Sequence, residues 1–326
     1  MQLKKLLLIL MFLFLSTSAA FAQSYGFAAN IINAVGSRSD RTKIYDKLAI
    51  VTHGNQKYIN DIWLQTKYEN FNLVNDENSK GSFNDDVGGL SFGCEKEIFK
   101  NILLGFFGKY DSHSISQENS RASVNSYGIG AYGSYLYGDF DFRGMLSFSG
   151  LQYVTSRNIA NNDKARADFN GYGIAADIEA VMWFEMTSEI NLRPFFGINI
   201  SHSGYGSSNE IGAGSMNLNT EGGNFLRSAM RIGAGLNGKY EKFGWYSGLE
   251  MEYIISGQYT EIESRLSGTN VKIKSKGGKN AAALAGINAG CDYDITKQIK
   301  TYVNLGYKVN YSVSDFGANT GIIFIF

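Results

Sequence analysis

The chain has 326 residues, and its 30 Lys and Arg are balanced by 30 Asp and Glu. This balance excludes the basic footprint expected of a nucleic-acid-binding protein. One Pro with 38 Gly, 20 Tyr and 22 Phe is typical of pleated strands that carry amphipathic rings, and argues against a helical bundle.

The first 22 residues have the order of a secretory signal peptide. A basic start at Lys4 and Lys5 is followed by an apolar run over residues 6–15 and by small residues that end at Ala22. The run is too short to cross a bilayer of about 30 Å as a helix. We therefore predict export through the inner membrane, with cleavage between Ala22 and Gln23.

Residues 23–58 are predicted to form one or two helices before the first strand. Their apolar residues recur at roughly helical spacing, although Gly36 and the nearby serines weaken the middle of the pattern. Two locations remain open, a plug inside a barrel or a helix outside it in the periplasm. The apolar positions are Phe27, Ile31, Ala34, Val35, Ile44, Leu48 and Val51.

Residues 59–326 alternate between apolar and polar side chains with a period of two. Near the C-terminus, for example, Val303 and Leu305 alternate with Asn304 and Lys308 on the other face. Such alternation suits a soluble sandwich as well as a membrane barrel. The long segments, the leader and the aromatic content favour an all-β, antiparallel transmembrane barrel.

Turn residues divide the barrel region into twelve strands, an even number as in single-chain bacterial barrels. Short connectors are predicted at residues 137–139, 186–190, 240–244 and 292–297, and long polar ones at 111–124, 155–169, 204–223 and 261–280. This predicts periplasmic turns at one end and surface loops at the other. The strand centres are predicted near Leu64, Leu90, Phe106, Ala131, Leu146, Ile178, Ile198, Ala234, Met251, Ile287, Leu305 and Ile322.

The last strand alternates apolar residues at even positions up to Phe324 and Phe326. We expect this even-numbered set to face lipid and the terminal aromatics to act as the signal for outer-membrane assembly. The same strand is predicted to close the barrel against the first strand near Trp63, which removes two edges whose unpaired amides are costly in hydrocarbon.

Charged residues at inward positions of the predicted strands are the candidate lumen residues. They carry both signs, so they either satisfy one another as ion pairs, or they set ion selectivity or contact a plug helix. The candidates are Arg143, Asp177, Glu179, Arg193, Arg227, Arg231, Glu250 and Glu252.

Motifs that resemble enzyme sites lie inside alternating strands. Residues 89–93 match a nucleophile elbow, and residues 128–133 and 233–238 match a dinucleotide fingerprint, but none is followed by the required helix. The enzymatic alternative is an outer-membrane phospholipase, which needs Ser and His two residues apart on one lipid-facing strand. His202 has Ile200 and Gly204 at that spacing, so we predict no catalytic residue and no cofactor.

Cys94 and Cys291 are the two cysteines of the chain, and they lie far apart in separate apolar strands. They are interpreted either as small side chains on the membrane face or as a disulfide formed in the oxidising periplasm. Neither has a second Cys or a His at metal-ligand spacing, so no metal site is predicted.

Together these features resemble the translocator domain of autotransporters over residues 58–326. The resemblance rests on Trp63 in the first strand, residues 89–93 in the second, residues 126–132 in the fourth, residues 192–197 in the seventh and the terminal Phe326. It implies a twelve-stranded barrel with a central helix and a pore through which an N-terminal passenger reaches the cell surface.

The segment between leader and barrel departs from that family, because it is too short for a long β-helical passenger. We therefore expect a translocator without a recognisable passenger, acting as a surface barrel, pore or translocation unit. Some family members cut their passenger at an Asn in the plug helix; Asn30 and Asn33 lie in such a stretch, but we expect them to be ordinary amides. The expected location is the bacterial outer membrane. The expected partners are its lipid, the outer-membrane assembly machinery and periplasmic chaperones, with no nucleic acid, and the barrel is expected to be a monomer.

Overall fold

The computed structural model describes residues 27–35, 45, 60–74, 82–159, 163–279 and 282–326. The predicted signal peptide, the cleavage position at Ala22 and Gln23, and much of the segment 23–58 lie outside the described residues. The strands are β1 (Asp61–Leu73), β2 (Phe83–Phe99), β3 (Ile102–Gln117), β4 (Ser120–Tyr137), β5 (Phe140–Asn158), β6 (Lys164–Met182), β7 (Phe184–Glu185), β8 (Ile190–Tyr205), β9 (Ser208–Asn209), β10 (Leu218–Thr220), β11 (Gly223–Tyr240), β12 (Phe243–Ser256), β13 (Glu261–Leu266), β14 (Lys272–Lys276), β15 (Ala283–Asp294), β16 (Ile299–Val309) and β17 (Val313–Ile325).

Twelve of these strands form a closed antiparallel barrel in the order β1 to β6, β8, β11, β12, β15, β16 and β17. Closure occurs between β1 and β17, where Trp63 lies opposite Ile323. Every predicted strand centre falls within one of these strands, so the predicted barrel and its closure are confirmed. No strand of the barrel is left with an unpaired edge, which is the condition for crossing hydrocarbon.

The period-two pattern of the sequence appears directly as alternating exposure. In β5, Asp141 and Arg143 are buried inside the barrel, whereas Phe142 and Phe148 are exposed on its outside. Successive side chains of a strand point to opposite faces. The outward face is therefore apolar and aromatic, and the inward face carries polar and charged side chains, as expected for a barrel set in lipid.

The two ends of the barrel differ. At one end, called the turn end, lie Asp61, Phe326 and tight connections such as residues 100–101, 138–139 and 241–242. At the other, called the loop end, residues 206–222 and 257–282 form the two longest connections. These two connections supply a small four-stranded sheet of β9, β10, β13 and β14.

Two predicted long connectors are wrong. Residues 111–124 are not a loop, because β3 and β4 continue to a tight turn at which Gln117 pairs with Ser120. The connector predicted at 155–169 shrinks to residues 159–163. The outward residues there, such as Ser114 and Ser116, are exposed and polar. The strands extend beyond the apolar band, where both faces meet polar surroundings and the alternation in hydrophobicity fades.

Residues 27–35 form a helix that lies inside the loop end of the barrel, and we call it the lumen helix. Within the part of the chain that the structure describes, no helix has the length and apolar character needed to span a membrane.

Candidate functional site

The lumen of the barrel is arranged in three layers, and the layer at the loop end is apolar. Phe27, Ile31 and Ile32 of the lumen helix are buried there against inward side chains from all around the barrel. Burial of such side chains stabilises by about 25 cal/mol per Å² of apolar surface. We call the barrel residues that surround the helix the apolar collar: Phe71, Leu73, Phe83, Ile115, Ala122, Val124, Leu151, Tyr153, Phe225, Ile254, Leu284 and Val313.

Two buried amides fasten the lumen helix to the barrel and to a surface connection. Asn30 Nδ2 donates to Gln117 Oε1 at 2.8 Å, and Asn30 Oδ1 accepts from the Gly278 amide at 2.5 Å. Asn33 Nδ2 donates to the Gly278 carbonyl at 3.1 Å. The surface connection that contains Gly278 is thus hydrogen-bonded to the lumen helix.

The middle layer is charged, and its first network joins β5, β6 and β11. Arg231 donates to both carboxylate oxygens of Asp177 at 2.8 and 2.6 Å, and it lies 3.4 Å from Glu179. Arg143 contacts Asp141 at 2.7 Å and Glu179 at 3.6 Å. All five side chains are buried.

A glycine on the intervening strand makes room for this network. Arg231 on β11 reaches Asp177 on β6 across β8. A Cβ at Gly197 would lie only 3.0 Å from the Arg231 guanidinium, so a larger residue would crowd the crossing side chain.

A second network joins β11, β12 and β16. Arg227 is paired with Glu252, and Lys308 contacts both Glu252 at 2.9 Å and Glu250 at 2.8 Å. The Arg193 guanidinium lies 5.2 Å from the centre of the Trp183 ring. The eight sequence-predicted lumen residues are therefore all buried, and seven of them fall into two ion-pair networks.

Sequence reasoning missed several charged residues of the middle layer. Lys67 lies 3.2 Å from Asp111, Lys109 lies 3.8 Å from Asp111, and His113 Nδ1 lies 3.1 Å from Asp85. Their inward positions follow from the same alternation of polar and apolar residues that identified the eight candidates, so this alternation also marks them as lumen residues. Lys67 lines two open cavities of the lumen, and Val35 of the lumen helix lines one of them.

The layer at the turn end is aromatic and hydrogen-bonded. Trp63 Nε1 donates to Tyr132 Oη at 3.0 Å, and Tyr132 Oη donates to Glu95 at 2.5 Å. Tyr302 Oη donates to Gln65 at 2.9 Å. Tyr45, which precedes the barrel in sequence, is buried in this same layer.

The outward face carries the remaining sequence-predicted positions. Phe324 and Phe326 are exposed beside the turn end, with Phe326 at 71%. Cys94 and Cys291 are free thiols in the structure.

The phospholipase alternative needs Ser and His on one face of a strand. Ser201 and Ser203 are buried, whereas His202 lies between them on the opposite face, which is incompatible with that pairing. Among the described residues, no cluster of His, Cys, Asp or Glu could hold a metal ion.

Comparisons with known proteins agree with this architecture. The translocator domain of the autotransporter NalP from Neisseria meningitidis matches with a TM-score of 0.75 at 12% identity, over 94% of this chain and 99% of that one. The transport unit of AIDA-I from Escherichia coli matches at 0.61 and 12%, over 94% and 99%. The beta domain of the Bordetella autotransporter BrkA matches at 0.61 and 12%, over 82% and 100%.

No curated protein sequence matches the chain. The comparisons give the phospholipase alternative no support, and they imply an outer-membrane location. The family model named Autotransporter beta-domain matches residues 62–306, which is most of the chain. The chain therefore belongs to the autotransporter beta-domain family.

Proposed function

We propose that this chain is a non-catalytic translocation unit of the bacterial outer membrane whose lumen is closed by its own N-terminal segment. The observation that carries the proposal is the lumen helix seated in the apolar collar of the closed barrel. A helix in this position blocks the loop end, and removing it would expose a ring of apolar side chains to water.

The order of described residues along the barrel supports a path through the lumen. The lumen helix lies at the loop end, Tyr45 lies in the aromatic layer, and Asn60 accepts a hydrogen bond from the Phe326 amide at the turn end. If the loop end faces the cell exterior, as long loops do in such barrels, sequence before the helix is delivered to the cell surface. That is the geometry required of a translocation unit.

The proposal includes the partners and processing expected from the sequence. Export uses a signal peptide cut between Ala22 and Gln23, and insertion uses the outer-membrane assembly machinery and periplasmic chaperones. Phe324 and Phe326 act as the assembly signal, and the barrel works as a monomer. The exposed apolar band supports contact with outer-membrane lipid.

Removing the N-terminal segment is expected to raise the conductance of the barrel severalfold in a planar bilayer. The deletion should span residues 23–58, which retains Asn60 and its hydrogen bonds to Glu97 and Phe326. The full chain should show low and intermittent conductance, because the helix fills the loop end. Single-channel recording on purified barrels compares the two.

A second variant keeps the chain intact in case the deletion fails to assemble. Asn30→Ala with Asn33→Ala removes the hydrogen bonds to Gln117 and Gly278 and should increase the frequency of openings. Equal conductance of all three proteins would reject the closed-lumen proposal. Calcium-stimulated phospholipid hydrolysis by the refolded wild type would instead reject its non-catalytic part.

A further inference from the structure

The outward faces of β4 and β6 carry an unusual group of cations near the loop end. Arg121 on β4 and Lys164 and Arg166 on β6 are exposed. Elsewhere on the outward faces of the described barrel strands, the only Lys or Arg is Lys96, which lies near the turn end. On the barrel strands themselves, outward positive charge near the loop end is thus confined to one sector, which we call the basic sector; the other exposed lysines of that end, such as Lys272 and Lys274, lie in the 257–282 connection.

Strand register brings these side chains together. Arg121 lies opposite Ser156 of β5, and Ser156 lies opposite Arg166 of β6. Strands are spaced by about 4.8 Å, so the two arginine Cα atoms are roughly 10 Å apart across one small residue. Long arginine side chains span that gap, so both guanidinium groups can reach a single phosphate.

The cations of the basic sector have no ion-pair partner among the described residues of the protein. None of the three forms an ion pair within the described part of the chain, whereas inward cations such as Lys67, Arg143 and Arg231 do. Three exposed carboxylates lie nearby, Asp168 on the same face of β6 and Glu118 and Asp163 in the adjoining turns, but none of them forms an ion pair with these cations. Unpaired cations of one sign at a membrane surface attract anionic headgroups.

The height of the basic sector above the membrane indicates the kind of anion. The upper aromatic belt of the barrel is marked by three exposed tyrosines that lie side by side on β3, β4 and β6: Tyr110, Tyr127 and Tyr172. Arg121 lies six positions beyond Tyr127 along β4, which is roughly 15 Å above the belt at a strand tilt of about 40°. That level lies within the saccharide headgroups of an outer leaflet and beyond its acyl chains.

We propose that Arg121, Lys164 and Arg166 bind the phosphorylated saccharide headgroup of lipopolysaccharide in the outer leaflet. The site requires the outer-membrane orientation in which the loop end faces the cell exterior. It does not depend on polypeptide translocation or on closure of the lumen. The bound glycolipid would anchor the polar extension of β3 to β6 against the membrane surface.

Retention of lipopolysaccharide by purified barrel tests the proposal. The first variant removes the basic sector by the substitutions Arg121→Ser, Lys164→Ser and Arg166→Ser. The second variant is the control and removes the same charge from exposed turns at the turn end, by Lys100→Ser, Lys242→Ser and Lys297→Ser. Both proteins should remain heat-modifiable on a gel, because none of these side chains is buried. The first variant should co-purify with about tenfold less lipopolysaccharide, and the second should match the wild type.

Vesicles of defined composition distinguish lipid from free phosphate. Wild-type barrel should bind lipopolysaccharide with a phosphorylated core, bind the dephosphorylated form more weakly, and be little competed by millimolar inorganic phosphate. Equal retention by the wild type and the first variant would overturn the proposal. Full competition by inorganic phosphate would also overturn it, because the site would then belong to a soluble anion.

Discussion

A chain that lacks residues 317–326 is expected to be absent from the outer-membrane fraction. These residues form most of β17, which pairs with β16 on one side and with β1 on the other. Their loss leaves two facing edges whose amides and carbonyls have no partner in hydrocarbon, at a cost of several kcal/mol for each group. The barrel cannot close, and we expect degraded or aggregated periplasmic protein.

Membrane fractionation and heat-modifiable migration on a gel measure this outcome. Deletion of Phe326 alone is the matched comparison, because it removes an exposed aromatic side chain and leaves the register of β17 and β1 intact. Recovery of that variant should fall without disappearing. Heat-modifiable protein in the outer-membrane fraction after the ten-residue truncation would contradict the twelve-strand closure.

Arg231→Ala is expected to lower the free energy of unfolding by roughly 3 kcal/mol. Its guanidinium is buried and neutralises Asp177 and Glu179. Removing one partner of a buried ion pair leaves an uncompensated charge, which is among the costliest single changes in a protein interior. Urea titration of refolded barrel in lipid vesicles, followed by tryptophan fluorescence, gives the change.

Two further variants separate the charge effect from simple truncation. Lys239→Ala lies on the same strand, and its pair with Asp294 is about one-third and one-quarter exposed, so it should cost less than about 1 kcal/mol. Arg231→Ala combined with Asp177→Asn should recover part of the lost stability, because less charge remains unpaired. An equal loss for Arg231→Ala and Lys239→Ala would contradict the assigned role of the buried network.

The barrel was predictable from the sequence because alternation is a local property of each strand. Val303, Leu305 and Tyr307, for example, reveal an outward face without any knowledge of neighbouring strands. The strand ends at residues 111–124 were not predictable in this way. Outside the apolar band their outward residues are as polar as a loop, so hydrophobicity no longer marks the strand.

The contents of the lumen were harder to predict because they depend on contacts between distant segments. Alternation places Arg231 and Asp177 inside the barrel, but only the strand order and the space at Gly197 bring them together. The apolar collar also replaces the polar inward pattern of the middle layer, at positions such as Val124 and Leu151. Helical spacing in residues 23–58 shows an apolar face but not the surface it meets.

Cross-linking of the lumen helix to the barrel wall tests most directly whether the chain's own N-terminal segment occupies its lumen. Cys94→Ser and Cys291→Ser provide a background free of cysteine. Asn30→Cys is then combined either with Gln117→Cys, whose native side chain contacts Asn30 inside the barrel, or with Ser116→Cys, which is adjacent in sequence but exposed outside.

A short bismaleimide is added to intact cells to cross-link the two cysteines. Cleavage at a protease site introduced between residues 46 and 58 then separates the N-terminal segment from the barrel. On a denaturing gel, the N-terminal fragment should stay attached to the barrel for the Asn30 and Gln117 pair and be released for the Asn30 and Ser116 pair. Release of the fragment from both pairs, with the barrel still heat-modifiable, would show that the segment lies outside the lumen.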